Sequence, residues 1–196
     1  MKTILLTLAV LAAVSIAPAA LAGEAPLDRE ALRGLATSGE ALCGGWRDRD
    51  DSCEDVGFME LLPQDQVLHT YRFRISFEPD YEIVMQETAT IEDGALCSTY
   101  SLANLTVRVL ADGQAAPTEQ TLAISAMFEE SLAEFEGKQV CESYFRDQAT
   151  GELTTVVTID GVRNPDLESS YRVLTKDERI HLRQMDEAPD PMRQDV

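Results

Sequence analysis

The stretch from Val67 to Gly94 reads VLHTYRFRISFEPDYEIVMQETATIEDG. Its first half sorts into two sets with a period of two. Val67, His69, Tyr71, Phe73, Ile75 and Phe77 share one face, and Leu68, Thr70, Arg72, Arg74 and Ser76 share the other. That alternation predicts a half-buried antiparallel strand. Glu78-Pro79-Asp80 predicts a turn, because proline cannot donate to a sheet ladder. Tyr81, Ile83, Met85, Ala89 and Ile91 then resume the alternation, broken at Glu87, until Asp93-Gly94 supplies a hairpin signal.

The same pattern extends to both sides. Two further strands fit 95–102 and 105–110, completing a four-stranded meander closed by Asp112-Gly113. Between Thr118 and Glu136 the period lengthens: Ile124, Met127, Phe128, Leu132 and Phe135 form one stripe, with Pro117 suited to the start and Gly137 to the stop. Strands resume at 139–147, 153–160, 169–175 and 179–185. Near the front, Leu27, Ala31 and Leu35 predict a short helix over 27–36, with Asp28 and Glu30 placed to suit its dipole. The expected fold is therefore α+β: an antiparallel sheet of about eight strands in the order meander, long helix, meander, curved around one amphipathic helix, plus the short N-terminal helix. A sheet curved in this way can leave an apolar groove between helix and strands, and a fully packed core gives the same sequence pattern.

The first residues, MKTILLTLAVLAAVSIAPAALAGEAP, combine a basic start, an apolar run and the small-residue triplet Ala20-Leu21-Ala22. This is the layout of a signal peptide spanning 1–22, and it places the remaining chain in the periplasm or outside the cell. Glu24 stands where a lipid-bearing cysteine would be needed for a bacterial anchor. No later segment reaches the roughly 20 apolar residues of a membrane span, so no membrane insertion is expected after cleavage. Residues 23–185 make one disulfide-stabilised domain, and 186–196, with two prolines and little apolar content, read as a disordered acidic tail. The formal net charge of −19 repels nucleic acid and anionic lipid head groups, so no nucleic acid partner is expected.

Four cysteines, Cys43, Cys53, Cys97 and Cys141, follow the leader. In an oxidising compartment they pair, and three connectivities are open. Cys43 with Cys53 and Cys97 with Cys141 is the favoured one, because the first pair is local and flanked by glycines. On the loop-entropy model the two bonds contribute about 3 and about 4 kcal/mol. The segment LCGGWRDRDDSCED, 42–55, gathers Asp48, Asp50, Asp51, Glu54 and Asp55, but as a calcium loop started at Asp48 it has Cys53 where glycine is required and Met59 where the bidentate glutamate belongs. It reads as a disulfide-clasped loop anchored by Trp46. No metal and no cofactor are expected.

The two histidines are the side chains poised near neutral pH. His69 falls on the apolar face of its strand, where a core histidine is the usual meaning, and His181 alternates outward between Arg179 and Arg183. No serine elbow, S-x-x-K pair or H-E-x-x-H helix is present. Arg72, Arg74, Arg179, His181 and Arg183 would form a basic patch if the outer faces of the first and last strands adjoin, and cross-strand pairing with Glu82, Glu87 and Glu142 is the competing outcome. No family motif is matched. The expected function is that of an exported, non-enzymatic binding or envelope-interaction protein, with a small apolar ligand in the helix–sheet groove or an acidic envelope partner on the basic strand face. The alternative is a small hydrolase or isomerase with His69 or His181 as base.

Overall fold

The computed structural model describes residues 24–75 and 80–184. The leader, the Glu78-Pro79 turn and the acidic tail lie outside the described residues. In chain order the elements are β1 (Glu24–Pro26), α1 (Arg29–Ser38), β2 (Ala41–Gly44), β3 (Ser52–Cys53), β4 (Asp55–Leu61), β5 (Gln66–Ile75), β6 (Tyr81–Glu92), β7 (Ala95–Thr99), β8 (Thr106–Ala111), β9 (Gln114–Ala115), α2 (Thr118–Leu132), β10 (Gln139–Asp147), β11 (Leu153–Ile159), β12 (Val162–Arg163), β13 (Ser170–Leu174) and β14 (His181–Leu182). Eight strands close on themselves as an antiparallel barrel in the order β10, β11, β13, β2, β4, β5, β6, β7 and back to β10. Closure depends on β7, which pairs with the end of β6 through Ile91 and Leu96 and with β10 through Cys97 and Cys141.

This arrangement corrects the expected sheet curved around a long helix. An eight-stranded barrel has an interior just wide enough for its own side chains, whereas a helix with its side chains is about 10 Å across. Once the strands close, the inward sets satisfy one another and the long helix is left outside. α2 packs instead on the part of the β5–β6 hairpin that projects beyond the ring, where Tyr81, Ile83 and Val109 cluster with Ile124 and the ring of Phe128 meets Phe73 edge-on at 5.8 Å. Its apolar stripe is only partly used: Leu122 is 65% and Met127 41% exposed.

The expected meander is corrected as well. β7 and β8 do not pair with each other, because each takes a different stretch of the twelve-residue β6. Residues Tyr81 to Gln86 bond to β8 and Thr90 to Glu92 bond to β7, leaving a seam at 87–89.

α1 plugs one end of the barrel. The Asp28 side chain caps it by accepting from the Ala31 N–H at 2.9 Å, and Gly39, at φ 71°, ends it in the left-handed conformation that glycine adopts without a side-chain clash. Its buried face, Leu32, Leu35 and Ala36, meets Leu42, Met59, Val67, Ile91, Leu96 and Leu153 from the surrounding strands. Asp65, in the turn between β4 and β5, pairs with both Arg29 and Arg33 and ties the plug to the wall.

Both disulfides form, Cys43 with Cys53 and Cys97 with Cys141. The second joins residues directly opposite in the β7–β10 ladder, clipping the barrel at its closing strand. The first holds β3 beneath β2 in a small outer core with Val56, Leu174 and Trp46. In the clasped loop the Trp46 indole N–H donates to Asp48 at 2.7 Å, Arg172 lies 4.1 Å over the indole ring and Arg47 pairs with Asp50. No helix among the described residues is long and apolar enough to cross a membrane.

Candidate functional site

The half of the barrel away from α1 is not filled by side chains. A cavity of about 220 Å³ remains there, lined by His69, Tyr71, Glu87, Ser98, Glu142 and Tyr171 among apolar neighbours that include Val140 and Val157. Strand alternation puts these groups inside. Val67 and His69 lie on the inward face of β5, and His69 stands opposite Glu87 on β6. On β10, Glu142 stands opposite Leu96 of β7 and Val157 of β11, and Val140 opposite Ser98. Gly57 on β4 makes room for the imidazole, since a Cβ there would lie 3.1 Å from His69 Nε2.

The chemistry of this half is set by a buried histidine and by glutamates that are half-buried at the cavity wall. The Nε2 of His69 is buried with no hydrogen bond among the described residues, and its ring lies 3.9 Å from that of Tyr71. Burial pushes its pKa down to about 3, so it is neutral at physiological pH. Burial pushes the Glu142 carboxyl up to about 7; the nearby Glu87 charge adds to this, and the Tyr144 hydroxyl, donating at 2.6 Å, opposes it. Glu87 is raised by burial and has no hydrogen bond or ion pair with any described residue. Asp55, further along the wall on β4, is raised to about 6 by burial and the Glu54 charge, against the pull of Arg183. Tyr71 and Tyr144 are pushed well above the ordinary phenol range by burial and the neighbouring glutamates. Among the described residues no lysine or arginine lines the cavity.

Beside it, at the seam between β7 and β8, a recess of about 30 Å³ shares Glu87 and Ser98 with the cavity and adds Tyr100. The Tyr100 hydroxyl is buried there without a partner among the described residues, and its pKa is pushed up to about 12 by burial and the charges of Glu87 and Glu136.

The surface residues singled out in the sequence come together only in part. Arg72, Arg74 and His181 line one groove of about 260 Å³, because Arg74 bridges to Gln184 as the last strand passes the first hairpin. The same groove contains Asp80, Glu82 and Asp112. Arg72 pairs with Glu82 at 2.6 Å and Arg74 with Asp80 at 3.2 Å. Arg183 turns away to the Gly45 carbonyl, at 2.6 Å, and to Glu54, and Arg179 is exposed outside the groove lining. The face is thus not basic, since two arginines meet three carboxylates in the groove. Of its expected carboxylate partners, Glu82 is present, whereas Glu87 and Glu142 are inside the barrel. Among the described residues no three His, Cys, Asp or Glu side chains converge to hold a metal ion.

Sequence reasoning assigned Glu87 and Glu142 to surface pairing and gave Tyr71, Tyr144 and Tyr171 no role in a cavity. One signal was available. Glu87 interrupts an otherwise apolar inward set, and Glu142 sits between Val140 and Tyr144 at the same parity.

Set against known protein families, characterised proteins and solved structures, the chain matches none. The site therefore stands on its own geometry.

Proposed function

We propose that the protein is an exported binding protein, acting in the periplasm or outside the cell, that holds one small molecule in the open half of its barrel. The observation that carries this reading is the contrast between the two halves of one interior. One half is plugged by α1 and packed with aliphatic side chains. The other keeps a cavity walled by the buried His69 and the half-buried Tyr71, Glu87 and Glu142. Buried polar groups without partners cost free energy, and a ligand that completes their hydrogen bonds removes that cost. Eight-stranded barrels are of the size that holds one small ligand. The export leader and the two disulfides support an oxidising compartment.

The alternatives named from the sequence gain less. A base with a pKa near 3 is too weak for proton abstraction at neutral pH, and His69 has no hydrogen bond to a carboxylate or hydroxyl that would raise it. An acidic partner would have to displace Glu82 and Asp80 from Arg72 and Arg74. Native mass spectrometry of the protein purified from its own cells tests the proposal. A retained mass of small-molecule size at one copy per chain is expected, and a bare chain at every gentle activation setting contradicts it.

A further inference from the structure

We infer that the ligand of the open half is a small organic monocation, a protonated amine held between Glu87 and Glu142 with its apolar part against Tyr71 and Tyr171. This rests on the reading of the cavity as a ligand site and narrows it to one chemical class.

Two carboxyl groups face one space, and its lining has no cation among the described residues. Buried charges in folded proteins are paired, because an isolated carboxylate away from water is costly. An ionised carboxylate has about four acceptor positions. Glu142 receives a hydroxyl from Tyr144, and Glu87 receives nothing from the described residues. An alkylammonium group brings one positive charge and three N–H donors to this shortage. Asp55 of β4, which acts on Tyr71 and Tyr171 and is itself drawn to Arg183, lies outside the lining. The groups facing Glu142 are His69 and Tyr71 on β5, Glu87 on β6, Tyr144 on its own strand and Tyr171 on β13. All are anionic or neutral at physiological pH, since burial keeps the imidazole uncharged.

The rest of the wall fits the same class. Tyr71 and Tyr171 line the space, and aromatic rings attract organic cations through their quadrupoles. His69, 3% exposed and without a partner at Nε2 among the described residues, lines the same space. The competing chemistries fit less well. An anion meets Glu87 and Glu142 with no compensating charge in the lining among the described residues, and a neutral ligand leaves the carboxyl groups unpaired. A divalent metal finds no set of three ligands among the described residues. At about 220 Å³ the cavity lies below the roughly 300–1,000 Å³ of drug-sized pockets, so the amine is small.

Isothermal titration of the purified, oxidised protein with 2-phenylethylamine, 2-phenylethanol and 3-phenylpropanoate tests the inference. The amine should bind about tenfold or more tightly than the alcohol, and the carboxylate should not compete. Slightly below neutral pH, Glu142 must lose its proton as the ammonium seats, so amine binding should release about one proton, read as a heat that changes with the ionisation enthalpy of the buffer. Glu142→Gln should abolish both the preference and the proton release. Should that variant fail to fold, Glu87→Gln and the wild-type proton count carry the test. An alcohol or carboxylate that binds as tightly as the amine overturns the amine class while leaving the cavity reading intact, as does amine affinity unchanged in both glutamine variants. No binding by any of the three also overturns it, and the retained-mass experiment decides the cavity reading independently.

Discussion

The two ends of the barrel are built from the same strands by the same alternation, yet they hold opposite chemistries. Around α1 the inward positions are Leu42, Met59, Val67, Ile91 and Leu153, and the helix adds Leu32 and Leu35. A few residues along the same strands, the inward positions become Tyr71 on β5, Glu87 on β6, Ser98 on β7 and Glu142 on β10. The first half stabilises the fold by removing apolar surface from water. The second works against stability, since it buries ionisable groups whose pKa values move in the direction that burial of a charge dictates. A barrel that keeps such a half has placed its energetic support at one end and its site at the other.

Truncation separates the halves most strongly. Leu32→Ala, in the plug, should lower the unfolding free energy by about 2–5 kcal/mol, because it opens a void in a close-packed interior. Val157→Ala, whose side chain already borders the cavity, should cost about 1 kcal/mol. Urea unfolding of both variants measures this, and equal losses would show that the open half is packed like the closed one.

Titration sharpens the comparison next. The folded Glu142 carboxyl, at about 7, keeps a proton that an unfolded glutamate, near 4.5, has lost. Its contribution to stability is therefore fully present below pH 4.5 and is lost as the pH rises through 7. Glu142→Gln removes that loss while keeping an acceptor for the Tyr144 hydroxyl. It should raise stability by about 3 kcal/mol at pH 8, with no gain at pH 4. His69 acts in the opposite direction, its contribution being lost as the pH falls from 6.5 through about 3. Because His69 is common to both proteins, the difference between their pH profiles isolates Glu142. The smallest effect belongs to the outer groove: Arg72→Gln breaks a half-exposed ion pair with Glu82 and should change the melting free energy by less than about 1 kcal/mol.

Much of the local structure was legible in the sequence, and the closure was not. The alternation in 67–75 and 81–91, the Asp93-Gly94 turn, the short N-terminal helix and the Cys43–Cys53 bond all follow from short-range chemistry. Whether β7 pairs with β8 or with β10 is a non-local matter that periodicity does not encode. That one pairing separates a sheet wrapped on a helix from a barrel that excludes it. The site was hidden for a related reason. In an open sheet a glutamate beside an arginine-bearing strand reads as a surface pair, and only closure turns the face carrying Glu87 and Glu142 into an interior. His69 was visible as a buried histidine from its parity alone, but the groups around it come from four other strands.

Filling each half in turn tests the central claim most directly, with thermal unfolding and retained ligand mass read on the same samples. Ala36→Phe forces a ring into the packed plug and should lower the melting temperature substantially, as overpacking by about 1–3 kcal/mol does. Ser98→Phe places its ring in the cavity, so it should leave the melting temperature within a few degrees of wild type and eliminate the retained small-molecule mass. A Ser98→Phe protein that melts as early as Ala36→Phe, or that still carries the ligand, would contradict the division of the barrel into a supporting half and a binding half.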